Sequence, residues 1–457
     1  MPTRVLVPSG VLGLGFDRQA LKRGVANRPD IICIDGGSTD SGPFSLGAGV
    51  SKYSRAATRS EWRDLMRARA EAGVPLVIGT AGTCGTDATV DWMHDITVEL
   101  AAELGQTLKI ARLYSSQPAE RIITALEAGR IRPLEPAPAI SPEVLSGLAN
   151  IVALAGAEQI QAALATGADI VIAGRTTDTA TIAALPLLRG DHAGGAWHGA
   201  KIAECGALCS THPTSGVIQV DFDADGFTVE PLAETAACTP HSVSAHMLYE
   251  NSDPYQLYEP GGYLDVRGAR YTALDERRVR VEGSRWVKGA YTVKLEGARV
   301  AGYQTTILAI LRNERYVKGA RAWIERLSAF LEGEIRSRMG LEPGEAYTLE
   351  FRLIGVDAAL GELERRQGDP VEVGVLGIVT ATSQMQAAEI GKLINPFVLH
   401  YPLTDHEELP TFAFPYSPAQ SDRGALYEFA LNHVMDLDDP MSAFRLVVTE
   451  VAHGPAR

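Results

Sequence analysis

Short apolar runs alternate with stretches of helical period through the first half of the chain. The runs are rich in β-branched residues and read RVLVPS, DIICIDGG, PLVIGTAG, LKIARLYS, NIVALAG and ADIVIAGR. Four of them contain continuously apolar segments (IICI, LVI, IVAL and DIVIA), as is typical of strands that helices cover on both faces. The alternation predicts βαβ units and an α/β fold with an N-terminal parallel, doubly wound (Rossmann-like) sheet.

The pattern changes beyond about residue 215. GVIQVDFDADGFTVEPL is typical of a hairpin that turns at Asp225-Gly226, and RRVRVEG and AYTVKLEGARV continue the alternating style. RAWIERLSAFLEGEIRSRMG is then an amphipathic helix that should pack on a second sheet. We therefore predict an α/β substrate-binding and catalytic domain over residues 1–220 and an α+β domain over 221–457, with the boundary in the 210–240 region.

Composition and charge narrow the function classes. The 457 residues are 46% hydrophobic and carry a formal net charge of −14, which makes nucleic acid and anionic membranes poor partners. Five cysteines are few for this length and odd in number, as in a reduced cytosolic protein. The N-terminal apolar stretch breaks at Pro8-Ser9-Gly10, so we expect no export signal, no membrane span and a cytoplasmic location.

Polar loops follow the predicted strands, at the sheet edge where α/β proteins bind ligands. The turn 8–17 is rich in glycine but is not GxGxxG in register, so no NAD site is expected. Asp35-Gly36-Gly37-Ser38-Thr39-Asp40 places carboxylates and hydroxyls on a flexible backbone, although Asp40 could also cap a helix. The loop 79–87 leads into a helix, which makes Gly82, Thr83 and their neighbours a candidate anion cradle.

Two further features bear on chemistry. In Gly174-Arg175-Thr176-Thr177-Asp178, the guanidinium is suited to bidentate capture of a carboxylate, or else pairs with Asp178 and caps the helix. The segment with His192, His198, Cys205, Cys209 and His212 lacks the ligand spacing of a structural zinc site. Glu204 in that segment is a better candidate as an acid/base or as an oxygen ligand of Mg²⁺.

Six longer stretches carry a family resemblance. They are IDGGSTDSGPFSLGAG (34–49), IGTAGTCGTDATVDW (78–92), ATGADIVIAGRTTDTA (165–180), AKIAECGALCS (200–210), LYENSDPYQLYEP (248–260) and FAFPYSPAQSDRGALYEFALNHVMDLDDP (412–440). Together they resemble the acyclic terpene utilisation A (AtuA) family. Where that family usually has Gly-Arg-Val-Ala-Asp, this chain has Thr176 and Thr177 in place of Val and Ala.

The resemblance implies a bacterial catabolic protein, and the family's namesake belongs to a terpene degradation route through acyl-CoA intermediates. The C-terminal pattern resembles a branch often encoded beside a small partner protein and carboxylate uptake systems. This implies a hydro-lyase or isomerase that acts on a branched hydroxy or unsaturated carboxylate or its CoA ester, in complex with that partner. The apolar second half favours a homo-oligomer.

Our leading hypothesis is therefore a lyase or isomerase. The candidate catalytic acids and bases are Asp35, Asp40, Asp87, Asp178 and Glu204. The candidate substrate-binding residues are Gly36, Gly37, Ser38, Thr39, Gly82, Thr83, Arg175 and Thr176. Asp35, Asp40 and Asp178 could hold Mg²⁺ to stabilise an enolate-like state.

Two other classes stay open. A hydrolase or acyl-transferase would use Ser38, Thr39 or Cys84 as its nucleophile, although the chain lacks a recognisable nucleophile elbow or triad spacing. A non-catalytic subunit would only bind an acyl metabolite, and the many titratable side chains in these loops argue against it.

Overall fold

The computed structural model describes residues 2–366 and 368–452. Its strands are β1 (Thr3–Val7), β2 (Ile31–Asp35), β3 (Leu76–Gly79), β4 (Leu108–Tyr114), β5 (Ile131–Pro133), β6 (Asn150–Ala153), β7 (Ile170–Ala173), β8 (Ile218–Phe222), β9 (Gly226–Pro231), β10 (Gln256–Glu259), β11 (Gly262–Asp265), β12 (Arg270–Ala273), β13 (Val279–Glu282), β14 (Arg285–Lys288), β15 (Thr292–Leu311), β16 (Tyr347–Ile354), β17 (Val373–Ala381), β18 (Gln420–Asp436) and β19 (Arg445–Val451). Its helices are α1 (Arg18–Ala26), α2 (Phe44–Ala48), α3 (Arg55–Ala72), α4 (Asp87–Leu104), α5 (Ala119–Glu127), α6 (Pro142–Ser146), α7 (Ala157–Ala165), α8 (Ala180–Arg189), α9 (Ala193–Ala203), α10 (Pro240–His246), α11 (Glu314–Lys318), α12 (Ala320–Met339) and α13 (Gln384–His400). No helix among these residues is long and apolar enough to cross a membrane.

The chain divides into two compact units. The first extends to Arg299 and resumes at Phe429, and the second is Val300–Glu428. The predicted boundary at 210–240 follows the change in sequence pattern and stays a prediction. In the structure, β8 lies in that region and pairs antiparallel with β1, so the chain after residue 217 continues the first sheet.

A ten-stranded mixed sheet forms the centre of the first unit, in the order β12-β13-β9-β8-β1-β2-β3-β7-β4-β19. The neighbours from β1 to β4 in this order are parallel, and the outer strands are antiparallel. The fold is thus mixed α/β, as predicted, with further sheets beside this one. A Rossmann-like winding stays a prediction.

One predicted strand lies elsewhere. The run NIVALAG forms β6, which pairs antiparallel with β15 and does not join the parallel strands. A continuously apolar run is buried in either position, and hydrophobic pattern therefore could not distinguish them. The hairpin of β8 and β9 and the amphipathic helix α12 form as predicted.

The buried strands place alternate side chains in two hydrophobic clusters, one on each face of the sheet. In β1, Leu6 belongs to the cluster that contains residues of α1, α3 and α4. Val5 and Val7 belong to the cluster with residues of α7, α8 and α9. Since both faces are covered, polar side chains are restricted to the strand ends and loops, where a binding site can form.

The second unit has its own core. Strands β16 and β17 pair antiparallel, and β17 pairs with residues 303–311 of β15. Apolar side chains of α12 and α13 pack with them, including the fully buried Trp323, Leu327 and Ile390. This unit thus combines an antiparallel sheet with helices, while an α+β domain over residues 221–457 stays a prediction.

Gly85, in the loop after β3, is required by a close backbone approach. Its φ is +62°, and a Cβ atom there would lie 2.1 Å from the backbone nitrogen of Arg175. We expect Gly85→Ala to lower the free energy of unfolding by about 1–3 kcal/mol or more because the two loops must separate. Gly105→Ala is the matched control in urea denaturation, since Gly105 has a φ of +64° and open space around its Cβ position. Equal losses in the two variants would contradict the steric argument.

Candidate functional site

Three of the predicted loops converge. The loops follow β2, β3 and β7, which are neighbours in the sheet. The amide of Gly36 donates to the carbonyl of Gly79 at 2.8 Å, that of Thr80 to Gly174 at 2.8 Å, and that of Arg175 to Gly85 at 3.0 Å. Asp35, Thr83 and Arg175 therefore lie at one edge of the sheet, because parallel strands end at the same edge.

Two cavities open beside these loops. The first, of about 590 Å³, is lined by residues that include Arg132, Arg175, Thr177, Glu259, Tyr263 and Lys294. The second, of about 460 Å³, is lined by residues that include Ser9, Asp35, Gly37, Ser38, Tyr53 and Cys205. Four acidic residues line both: Asp40, Asp178, Glu204 and Glu250. The shared wall is thus strongly acidic, and each volume suits a small molecule.

Asp35 and Asp178 form a carboxyl pair at this wall. Burial and the hydrogen bond and charge of Asp178 raise the pKa of Asp35 well above its ordinary value, although Arg175 acts in the opposite sense. The amide of Gly37 also donates to Asp35 at 3.2 Å. A carboxyl that stays protonated beside a second carboxylate is a recurrent acid/base arrangement in enzymes.

The guanidinium of Arg175 is occupied by protein groups. It makes two hydrogen bonds to the carboxylate of Glu296, at 3.0 and 3.3 Å, and lies 3.5 Å from Asp178. The side chains of Arg175 and Glu296 are each only 6% exposed. Although burial opposes ionisation, Arg175 and Lys294 lower the pKa of Glu296 to about 2. Capture of a substrate carboxylate by Arg175 stays a prediction. The contacts of Arg175 with Glu296 and Asp178 instead suit a residue that positions Asp178.

The predicted anion cradle at residues 79–87 has little donor capacity left. The amides of Thr80, Ala81, Thr83, Cys84 and Gly85 all donate to backbone carbonyls. The amide of Asp87 is also engaged, because it donates to the hydroxyl of Ser116 at 2.9 Å. The sequence could not reveal these bonds, since their acceptors come mainly from other strands and loops.

Asp87 itself lies outside the walls of both cavities. Its carboxylate accepts from the amide of Ser116 at 3.1 Å and from Arg445 at 3.2 Å. These contacts tie the start of α4 to the segment after β4 and to β19. Of the five predicted catalytic acids, Asp87 therefore has the geometry of a structural residue.

The other predicted binding residues divide between the cavities and the loop core. Gly37 and Ser38 line the second cavity, while Thr39 donates to Glu296 at 3.2 Å. Gly36 needs to be glycine, since a Cβ there would lie 2.5 Å from the carbonyl oxygen of Thr80. Thr176 contacts the hydroxyl of Thr80 at 3.3 Å, and Gly82 packs against Thr89. Thr83 has a φ of +76°, a strained value for a β-branched residue.

The predicted Mg²⁺ ligands are only partly brought together. Asp35 and Asp178 are hydrogen-bonded, but Asp40 instead accepts from the hydroxyl of Ser38 at 2.5 Å. Within the described part of the chain, the three residues whose ligand atoms lie within 4.8 Å of one another are Glu204, Cys205 and His246. Binding of Mg²⁺ by Asp35, Asp40 and Asp178 stays a prediction, since these three aspartates do not form such a cluster in the described part of the chain.

The glycine-rich turn after β1 binds a carboxylate of the protein itself. The amide of Gly13 donates to Glu61 at 2.7 Å, and the amide of Gly15 donates to the same side chain. Ser9, Gly10 and Val11 meanwhile line the second cavity. This turn thus forms part of a cavity wall.

Cys84 is fully buried in a small cluster with Leu46, Val152 and Ala298 and lines neither cavity. Its sulfur lies 3.7 Å from the hydroxyl of Thr86. As a nucleophile it would lack access to a substrate. The predicted histidines are also dispersed: His192 caps α9, and His198 lies between Ser284 and Tyr271, where burial lowers its pKa to about 3.

Glu204 and Glu259 add buried carboxyls to the cavity walls. Glu204 forms an ion pair with Lys201, one turn earlier in α9, yet burial raises the pKa of Glu204 to about 8. Glu259 ends β10 and accepts from the hydroxyl of Thr179, while its Oε2 is buried without a hydrogen-bond partner. Burial raises the pKa of Glu259 to about 7 even though threonine hydroxyls donate to it.

Sequence reasoning missed the roles of Glu259, Lys201, Lys294 and Glu296. Glu259 lies in the stretch LYENSDPYQLYEP, which carried the family resemblance, so that stretch was the available signal. Lys201 stands three residues before Glu204, a spacing that places both on one helix face. Lys294 and Glu296 lie on β15 in an ordinary alternating strand pattern, which gave no signal.

The family comparison contains the four matching stretches that lie between residues 78 and 260. Residues 50–413 match the family model described as acyclic terpene utilisation family protein AtuA. No curated protein matches the chain, and no solved structure does. The matched range covers most of the chain and includes the loops after β3 and β7 together with Glu204 and Glu259. The chain belongs to the acyclic terpene utilisation (AtuA) family.

Proposed function

We propose that this protein is an acid/base enzyme of the AtuA family, a hydro-lyase or isomerase. Its proposed substrate is a small branched hydroxy or unsaturated carboxylate, or the CoA ester of one. The observation that carries the proposal is the carboxyl pair of Asp35 and Asp178 in the wall between two cavities. Removal of a proton from a carbon atom requires a positioned base of this kind.

In the proposed reaction, Asp178 is the base, since it faces both cavities. Its carboxylate takes a proton from the carbon beside the substrate's carbonyl group, and the electron pair of that C–H bond forms an enolate. In the lyase, the C–O bond of the neighbouring hydroxyl group then breaks and a C=C bond forms. Glu259 supplies the proton with which the hydroxyl group leaves as water. In the isomerase, the abstracted proton returns to a different carbon.

Lys294 and Arg132 are the groups we propose for the substrate's negative charge. Both line the first cavity, and their side chains are 40% and 57% exposed. Lys294 donates to Glu296 at 3.1 Å, and an ammonium group has two further donors. Arg132 donates to Asp436 at 2.7 Å through one nitrogen. Arg175, in contrast, has its guanidinium held by Glu296 and is proposed to position the catalytic pair.

The apolar lining of the first cavity supports the proposal of a substrate with a branched carbon skeleton. Leu134, Leu154, Leu257, Tyr263 and Val434 line it beside the charged groups. Such a wall favours a hydrocarbon chain by removing its surface from water. A cavity lined by carboxyls, cations and apolar side chains fits a carboxylate or thioester with a branched tail.

Solvent exchange tests this proposal without knowledge of the exact substrate. A panel of branched hydroxy acids, unsaturated acids and their CoA esters would be incubated with the protein in D₂O. We expect at least one compound to gain deuterium at a carbon atom beside its carbonyl group, detected by mass spectrometry and NMR. Binding of a ligand without exchange or turnover would favour the non-catalytic alternative.

Glu259→Gln should remove the alkaline limb of the pH–rate profile. As the proton donor, Glu259 must be protonated, so the rate should fall as the pH rises through about 7. The charged and titratable groups around it are Asp178, Lys201, Glu204 and Tyr291. The glutamine variant cannot donate a proton from a carboxyl, and we expect a slower reaction that no longer changes near this pH. If the variant shows the same alkaline limb as the wild type, a group other than Glu259 is responsible for that limb.

The proposed assembly is a homo-oligomer that also binds a small partner protein. Size-exclusion chromatography with light scattering, with and without co-expression of the neighbouring gene product, measures both associations. Activity that requires the partner would place part of the site on that protein.

A further inference from the structure

We infer that Glu204, Cys205 and His246 form a binding site for a divalent transition-metal ion, of which Zn²⁺ is the representative. One ligand atom from each residue lies within 4.8 Å of the other two. Glu204 and Cys205 follow α9, and His246 is the last residue of α10, so the fold brings together residues about forty positions apart. The sequence pattern around Cys205 and Cys209 gave no such site, because its third ligand comes from another helix.

The ligand types favour a thiophilic metal over Mg²⁺. Thiolate and imidazole ligands suit Zn²⁺, whereas Mg²⁺ prefers oxygen ligands only. Zinc sites that bind a substrate or water commonly have three protein ligands and one open position. Glu204 and Cys205 line the second cavity, which leaves that side of the cluster accessible.

His246 supplies an independent observation. The residue is 4% exposed, and its Nε2 atom is buried without a hydrogen-bond partner. A buried polar atom without a partner is destabilising by about 1–3 kcal/mol, and a metal ion bound to the ring would compensate for part of this loss. The ring also stacks on Tyr249 at 5.4 Å between centroids, which fixes its orientation.

Lys201 lies beside the cluster, and its positive charge and hydrogen bond restrict how Glu204 could bind a metal ion. Its ammonium donates to Oε1 of Glu204, so a metal ion would bind Glu204 through Oε2. The carboxyls of Asp178 and Glu259 also lie close enough to Glu204 to repel its negative charge. A single ammonium therefore lies among three carboxyl groups, and a divalent cation would favour their ionised forms. Binding forms a metal–sulfur bond and releases the thiol proton of Cys205 to solvent.

Cobalt substitution tests this site directly. The purified full-length protein, stripped with a chelator and titrated with Co²⁺, should bind one equivalent and develop a thiolate-to-cobalt charge-transfer band in the near ultraviolet. Cys205→Ser should abolish that band, and His246→Ala should weaken Co²⁺ and Zn²⁺ binding by at least about 10-fold. Cys209→Ser is the matched control, because Cys209 is fully buried outside the cluster and its loss should leave the band unchanged.

Two outcomes would overturn the site: a folded wild-type protein that gives no band and retains no stoichiometric metal after dialysis, or variants of all three ligands that bind metal like the wild type. The first outcome does not depend on whether any variant folds. Metal binding is measured without turnover, so its failure would leave the acid/base proposal intact. Conversely, a protein that shows the cobalt band but no deuterium exchange or turnover would support the metal site and contradict only the proposed reaction.

Discussion

Asp178→Asn should lower kcat/KM by about 10²–10⁴-fold, the range for loss of a general acid or base. An asparagine amide cannot accept the substrate's proton. Asp35→Asn should have an effect of similar direction, because Asp178 would then lose the carboxyl to which it is hydrogen-bonded. The deuterium-exchange rate at the substrate carbon is the measurement, since it reports proton abstraction even where later steps are slow.

Asp87→Asn is the control for these two variants. Asp35, Asp87 and Asp178 all follow predicted strands in glycine-rich or threonine-rich loops. The sequence alone therefore does not distinguish them as candidate catalytic residues. Asp87 binds Ser116 and Arg445 and lines neither cavity, so its replacement should leave exchange within a few-fold of the wild type. An Asp87 variant that loses exchange as completely as the Asp178 variant, while still folded by circular dichroism, would refute the assignment of the catalytic pair.

Glu296→Ala should lower the free energy of unfolding of the first unit by about 3–5 kcal/mol, as expected when one partner of a buried ion pair is removed. The variant leaves the guanidinium of Arg175 buried, with Asp178 at 3.5 Å as its remaining carboxylate. Urea denaturation followed by circular dichroism measures the loss. Thr39 and Lys294 would also lose a hydrogen bond to this carboxylate.

Glu103→Ala provides the matched comparison. Glu103 forms ion pairs with Arg59 and Arg63, but its side chain is 38% exposed, and such surface pairs contribute little to stability. The same chemical change should therefore have a much smaller effect on unfolding. Similar losses for the two variants would show that solvent, rather than Glu296, compensates the charge of Arg175. The positioning role that we propose for Arg175 would then lack support.

The sequence predicted the strands and helices that carry the loops, because local pattern decides them. Short apolar runs gave β1, β2, β3, β4 and β7. Convergence of Asp35 with the loops after β3 and β7 also followed from sequence, given the common edge of parallel strands.

No local sequence pattern indicated which distant segments pair with each other. The sequence could not place β6 beside β15 or bring β8 next to β1, since an apolar run fits several neighbours equally well. For the same reason the sequence predicted that the guanidinium of Arg175 binds a ligand, whereas Glu296, 121 residues later, occupies it. His246 joins Cys205 in the same manner, through the packing of α10 beside α9.

The sequence by itself determined the α/β character, the family and the loops in which polar chemistry is concentrated, because periodicity and motifs depend on residues close together in the chain. The tertiary structure alone decided which of those polar side chains are available. A side chain's charge and hydrogen-bonding capacity are set by whichever groups surround it after folding. The carboxyl pair of Asp35 and Asp178 and the guanidinium of Arg175 that Glu296 holds are the examples here.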